Sequence, residues 1–209
     1  MLNKRPMALL FMAFLSLSLL FSETISFSGG ESVLIMREGE KSVSLKNEAV
    51  VTTGSIHINA DEMTLSGDNW KTISAKGDIN ISDAERGIEI NTESIWFDRE
   101  DEILVISSWF EIDDTKEELY AQAGSLNYDM KNEKLEMGMQ VTLFKIAEGE
   151  VMKCTSESVT YDKASGLLTL KGGAYVVWKG DEYRAQIITV DTKDNTITLS
   201  GRIKGTING

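Results

Sequence analysis

Apolar and polar residues alternate along most of this chain, and the alternation is punctuated at a fixed interval. Asp98 is followed ten residues later by Ser108, Asp129 by Met139, Asp162 by Gly172 and Asp191 by Gly201, with Gly67 and Gly77 as a weaker copy. The second anchors lie 31, 31, 33 and 29 residues apart, and Arg37 with Asn47 opens the series as a degenerate copy. Recurrence near thirty residues marks a chain made by stacking one supersecondary unit.

Aligned on the second anchor, every other residue is apolar or small. The rows are Val43, Leu45, Asn47, Ala49, Val51; Ile73, Ala75, Gly77, Ile79, Ile81; Leu104, Ile106, Ser108, Phe110, Ile112; Leu135, Met137, Met139, Val141, Leu143; Leu168, Leu170, Gly172, Ala174, Val176; and Ile197, Leu199, Gly201, Ile203. A helix returns its apolar face every three or four residues, so a strict period of two makes each row a half-buried strand.

A second short strand precedes each aspartate: Ile95 and Phe97, Leu126 and Tyr128, Val159 and Tyr161, Ile188 and Val190. An aspartate opening a turn accepts backbone N–H groups two or three residues on, and Gly166 or Asn195 suits the left-handed residue that closes such a hairpin. The small residue in the middle of a row lets the strand bend, and bent strands in register give two facing layers with the rows between them. The expected fold is all-β: a twisted jelly roll or folded-over antiparallel sheet of five to six repeats.

Residues 1–22 differ in kind. Lys4 and Arg5 precede an apolar run from Met7 to Phe21, about 15 residues that would span roughly 22 Å as a helix, less than the roughly 30 Å hydrocarbon core. The segment reads as a secretory signal peptide or an N-terminal anchor, and residues 33–209 as one β domain. The sole proline, Pro6, lies in the leader, so no proline-rich linker divides the remainder. The formal charge of -12 disfavours nucleic acid and anionic membrane surface as non-specific partners.

Residues with chemical potential are sparse. His57 is the only histidine and Cys154 the only cysteine, which leaves no Ser/His/Asp constellation away from His57 and no intramolecular disulfide. Carboxylates cluster at Asp98, Glu100, Asp101 and Glu102 and at Asp113, Asp114, Glu117 and Glu118, without the ligand spacing of a Ca²⁺ loop. No phosphate-binding glycine loop is present, and neither cofactor nor metal is expected. Trp96 and Trp109 fall on the polar parity of their strands, where either can be exposed.

The unit from Ser158 to Gly172 resembles the repeat of the LptA/OstA family of lipopolysaccharide-transport proteins. Ser125 to Asp129 and Ser94 to Asp98 repeat its first half, and Ile197 to Gly201 its second, so the resemblance runs from about Val33 to Ile203. It implies a periplasmic, non-enzymatic protein that carries lipopolysaccharide or a related glycolipid toward the outer membrane. By the same resemblance the acyl chains lie against Ile79, Ile81, Leu104, Ile106, Phe110, Met137, Met139, Val141, Leu168, Leu170 and Val176. Terminal strands carrying Val43, Leu45 and Val51 at one end and Ile197, Leu199 and Ile203 at the other would meet inner-membrane and outer-membrane transport components, or a second copy head to tail. A membrane-anchored adaptor of the same pathway is the close variant. Two other readings stand beside these: a structural or adhesive β-solenoid with a sealed core, and a β-helix hydrolase using Asp98, Asp129, Asp162 or Asp191.

Overall fold

The period-two rows form strands that pair with their neighbours in chain order, antiparallel throughout. The computed structural model describes residues 24–37, 39–116, 118–147, 149–191, 193–194 and 196–208. The expected leader, residues 1–22, lies outside them. The strands are β1 (Ile25–Ser28), β2 (Glu31–Arg37), β3 (Glu40–Thr53), β4 (Ile56–Ser66), β5 (Thr72–Asp83), β6 (Ile88–Asp98), β7 (Ile103–Ile106), β8 (Phe110–Asp114), β9 (Leu119–Ala123), β10 (Ser125–Asp129), β11 (Lys134–Ala147), β12 (Glu150–Asp162), β13 (Leu167–Trp178), β14 (Asp181–Asp191), β15 (Thr196–Ser200) and β16 (Lys204–Thr206). They make one 16-stranded sheet, which begins at Ile25, ahead of the expected domain start at residue 33.

The second anchors are where this sheet folds. Asn47 and Glu48, Gly77 and Asp78, Met139 and Gln140, Gly172 and Gly173, and Gly201 and Arg202 are consecutive pairs with positive φ. In four of them two residues oppose one on the next strand: Asn47 and Glu48 face Asp61, Gly77 and Asp78 face Glu93, Met139 and Gln140 face Glu157, and Gly172 and Gly173 face Gln186. A two-against-one bulge bends its strand, and two left-handed residues in succession turn it sharply. At Ser108 the bend is made by side-chain bonding instead: its Oγ accepts the Ser94 N–H at 3.1 Å and lies 2.8 Å from Thr92 Oγ1, in the gap between β7 and β8.

On the bulged strands the inward parity runs through the corner, while on the partner strands it shifts by one residue, from Ile58 and Ala60 to Met63 and Leu65 on β4. On β3 Val43 and Leu45 before it and Ala49 and Val51 after it are all buried, and the same holds on β5 and β13; on β11 Met137, Val141 and Leu143 are buried and Leu135 is partly so. The two half-sheets thus press their apolar rows into a single core. The expectation of a folded-over antiparallel jelly roll is met.

The turns at the outer ends of the half-sheets stack on one another. Thr115 N–H donates to Gly87 O at 2.9 Å, Met130 N–H to Glu102 O at 3.0 Å and Lys163 N–H to Glu133 O at 3.1 Å, each link joining one repeat to the next. Within the turns, Asp98 Oδ1 accepts from Glu100 and Asp101 N–H, Asp129 Oδ1 from Asn132, Asp162 Oδ1 from Ser165, and Asp191 Oδ1 from Lys193 and Asp194, all at 2.9–3.0 Å. The periodic aspartates are turn acceptors.

Two glycines with nearly equal φ separate backbone strain from crowding. At Gly39, φ 77°, a Cβ would meet nothing within 4 Å, so Gly39→Ala should cost about 1–2 kcal/mol of left-handed strain. At Gly172, φ 79°, the same Cβ would collide with the Glu157 side chain, so Gly172→Ala should cost at least about 1 kcal/mol more. Urea denaturation of both variants measures the difference; equal losses would show that the corner has room to spare.

Candidate functional site

The structure gathers ten of the eleven expected interior residues into one core: Ile79, Ile81, Leu104, Ile106, Phe110, Met137, Val141, Leu168, Leu170 and Val176 are all buried. Met139 is the exception. Its side chain is 60 % exposed, because it is the first of the two left-handed corner residues and the bulge turns it outward over Gly124. A methionine in the glycine slot is part of the corner and leaves the row.

The rows are buried along their whole length. Ile106, Phe110, Leu170 and Ile188 beside the corners and Val51, Leu65 and Ile73 beside the turns are all at most 1 % exposed, and the least buried row residues, such as Met137, Ile81, Ile112 and Leu168, reach only 6–9 %. At the strand ends Ile56, Trp70, Ile88, Tyr128, Met130, Tyr161 and Trp178 are half-buried and pack on the core. The looser packing is confined to these strand-end side chains, along the seam where the turns of the two half-sheets approach. The indole N–H of Trp178, near that seam, is buried without an acceptor among the described residues.

Arginine spans the seam. Arg99, in the turn after β6, donates to Asn69 O and Trp70 O in the same half-sheet and lies 3.5 Å from Thr53 Oγ1 at the end of β3 in the facing one. Beneath it the Lys71 ammonium lies 3.2–3.3 Å from Asp98, Glu100 and Asp101. Hydrogen bonds to Glu100, then Asp101, bind the Lys71 proton more tightly than in a free lysine. Burial pushes the Asp98 carboxyl up, but the Asp101 N–H and Lys71 outweigh it and hold it below its ordinary value. Neither Lys71 nor Arg99 was singled out by the periodicity. The available signal was a basic residue in successive turns, at Lys71, Arg99, Lys131, Lys163 and Lys193.

The sheet ends differ from expectation at one side. Val43, Leu45 and Val51 are interior residues of β3, which is covered by β2 over its first half and by β1 over its second. The terminal strands are thus β1 and β2. On β2 Val33, Leu34 and Met36 are 53–65 % exposed, on both faces of the strand. At the other end Ile197 and Leu199 lie on the edge strand β15, half-buried against the core. Ile203 falls in the bend between β15 and β16 and is exposed, since the Gly201–Arg202 corner carries the chain out of the row before it.

The remaining candidates are quiet. His57 is an exposed strand residue whose Nδ1 lies 2.9 Å from Thr52 Oγ1. Cys154 is buried in the core, and burial pushes its thiol up to about 12, which leaves it unreactive. Trp96 and Trp109 are both exposed. No group of His, Cys, Asp and Glu among the described residues could hold a metal ion, and no helix there is long and apolar enough to cross a membrane.

No protein-family description and no curated protein matches the chain. Among solved structures it is similar to LptH, the LptA homologous periplasmic component of the conserved lipopolysaccharide transport device from Pseudomonas aeruginosa. The identity is 13 %, the TM-score 0.30, and the match covers 90 % of this chain and 97 % of that one.

Asp98 gives a pH test of the turn beneath the seam. Its carboxyl is held down in the folded protein, so its contribution to stability is present above the ordinary unfolded value of about 3.9 and is lost as pH falls through the lower folded value. Wild type should exceed Asp98→Asn in stability at pH 7, with the gap shrinking below about pH 4. Denaturant melts at pH 7, 4 and 2.5 follow it, and a gap independent of pH would show that the carboxylate charge plays no part.

Proposed function

We propose that this protein is an exported, non-catalytic lipid carrier of the periplasm, which takes the acyl chains of lipopolysaccharide or a related glycolipid between its two half-sheets. The observation that carries this reading is one continuous apolar interior between two half-sheets, rimmed at the strand ends by half-buried aromatic and aliphatic side chains. The repeat from Ser158 to Gly172, with its resemblance to LptA/OstA proteins, supplies the lipid class.

The energetics suit such a carrier. A dozen methylenes moved from water into this interior gain about 10 kcal/mol gross, at roughly 0.8 kcal/mol each. Against that stands the cost of parting packed side chains and releasing contacts such as Arg99 with Thr53. Loading therefore begins at the seam, where fewest contacts are lost, and Ile81, Ile112 and Leu168 meet lipid before Phe110 or Leu170.

The two ends of the sheet offer strand addition. β2 at one end and β15 at the other are outermost in the first half-sheet, and an edge strand pairs readily with a strand of another chain. Transport components of the inner and outer membranes, or another copy, would dock there and continue the apolar interior from one molecule to the next.

In growing cells, a photoreactive residue at Ile81, Ile106, Val141 or Val176 should give lipid adducts, while His57 and the outward-facing Met139 should give none. Adducts at neither Ile81 nor the deeper positions would overturn the carrier reading and leave a sealed β scaffold in its place.

A further inference from the structure

The last corner of the sheet carries a feature that acyl binding leaves unexplained. On its outer surface lies a cleft of about 550 Å³ formed by Gly172, Gly173, Tyr175, Arg184, Gln186 and Arg202 together with two alanines. Arg184 is stacked on Tyr175, its guanidinium carbon 4.0 Å from the ring centroid, which fixes the direction of its donors. Lys204 is the cross-strand partner of Arg184 and so stands on the same face. Arg202 has no hydrogen bond or ion pair among the described residues.

This concentration of cations runs against the character of the chain, whose formal charge is -12. Two carboxylates stand nearby. Glu182 Oε2 is 3.8 Å from Arg184 Nη2, both well exposed, and Glu157 is folded over Gly172 on the far side of β13. The first pair is long and solvated, so it holds little of the Arg184 charge, and Glu157 belongs to the preceding corner. Two guanidinium groups therefore remain for a ligand, with the amide of Gln186 and the hydroxyl of Tyr175 as further donors.

The local backbone keeps the cleft open. Gly172 and Gly173 place no side chain on this stretch of β13, whereas the equivalent corner of β11 is occupied by Met139 and Gln140. The arginines come from β14 and from the bend after β15, which meet only because both β15 and β16 pair with β14.

We propose that this corner is a binding site for a phosphate monoester, with Arg184 and Arg202 holding the phosphate oxygens. Guanidinium donors match phosphate geometry. The cleft is open to solvent, so a phosphate carried on a sugar can enter it, with Tyr175 and Gln186 beside the arginines to meet its hydroxyls. Such an ester is supplied either by the headgroup of a glycolipid or by a free sugar phosphate. The first source rests on the carrier reading above, and the site itself does not.

The test uses the exported chain and its Arg184→Gln, Arg202→Gln double variant. Both positions are exposed, so folding should be kept, and circular dichroism checks it. In one arm glucose 1-phosphate, with glucose as control, is titrated while the arginine Nε–H resonances are followed by NMR. Saturable shifts at Arg184 and Arg202 are expected with the phosphate only, and affinity should fall roughly tenfold or more in the variant, about the worth of one charge-assisted hydrogen bond.

In the other arm intact and phosphatase-treated lipopolysaccharide are compared. The intact lipid should bind wild type roughly tenfold more tightly, and that preference should vanish in the variant. Sugar phosphate binding without any lipid binding would keep this site and overturn the carrier reading. Lipid binding indifferent to both phosphate and arginines, with no response to glucose 1-phosphate, would overturn the site and leave the carrier reading standing.

Discussion

The left-handed pair at each corner is the constraint on which the rest of the molecule depends. An antiparallel sheet of this many strands with one apolar face would leave that face in water if it stayed open. Bending every long strand at the same height lets the face cover itself, and on β3, β5, β11, β13 and after β15 the bend uses the same pair of left-handed residues. Residues with a Cβ resist that conformation by about 1–2 kcal/mol each. Asn47, Glu48, Asp78, Met139, Gln140 and Arg202 nevertheless adopt it, which is sustained by the burial it permits: each bent row buries several large side chains, worth about 1.5–3 kcal/mol apiece.

Stacking then determines what happens at the two open sides. Along the corner line the strand neighbours are fixed by the ladder itself. Along the seam the half-sheets meet through turns, which have no ladder across them, and contact falls to side chains such as Arg99 reaching Thr53. The acidic composition works the same way: carboxylates crowd the turns, so lysines and arginines are drawn to bridge one turn to the next, as Lys163 does to Glu133 and Lys71 to Asp98, Glu100 and Asp101. What holds one repeat to its neighbour is strong within each half-sheet and weaker between the halves.

Much of this was legible from residue order alone, because period two and the ten-residue offset report backbone geometry directly. The rows, the aspartate turns, the left-handed Gly166 and the bend at Gly77, Gly172 and Gly201 follow from residue types that tolerate few alternatives. Met139 did not, since its alternation fits the row and only the bulge count reveals that the backbone turns it out. The end of the sheet was misplaced for a related reason. Glu31 to Arg37 is apolar on both parities, so it lacks the period-two mark of a half-buried strand, although the rule that a short strand precedes each turn, applied to Arg37, calls for it. The cluster of Arg184, Arg202 and Lys204 was invisible because its members come together only through pairing of β14 with β15 and β16.

An interior as tightly closed as this one sets a condition on any ligand. Packed side chains at native density leave no room for an acyl chain without displacement, and displacement is cheapest where neighbours are fewest. The half-buried side chains that pack on the core, among them Ile56, Trp70, Ile88, Tyr161 and Trp178, lie at the turn ends of the strands, away from the corners. Opening would therefore proceed as a hinge about the corner line, with the turns of the two halves moving apart while each half-sheet keeps its own hydrogen bonds. Such a motion would have to break the seam contact of Arg99 with Thr53 before the deep residues around Phe110 and Leu170 could separate, and the bulges that close the core would lie at its axis.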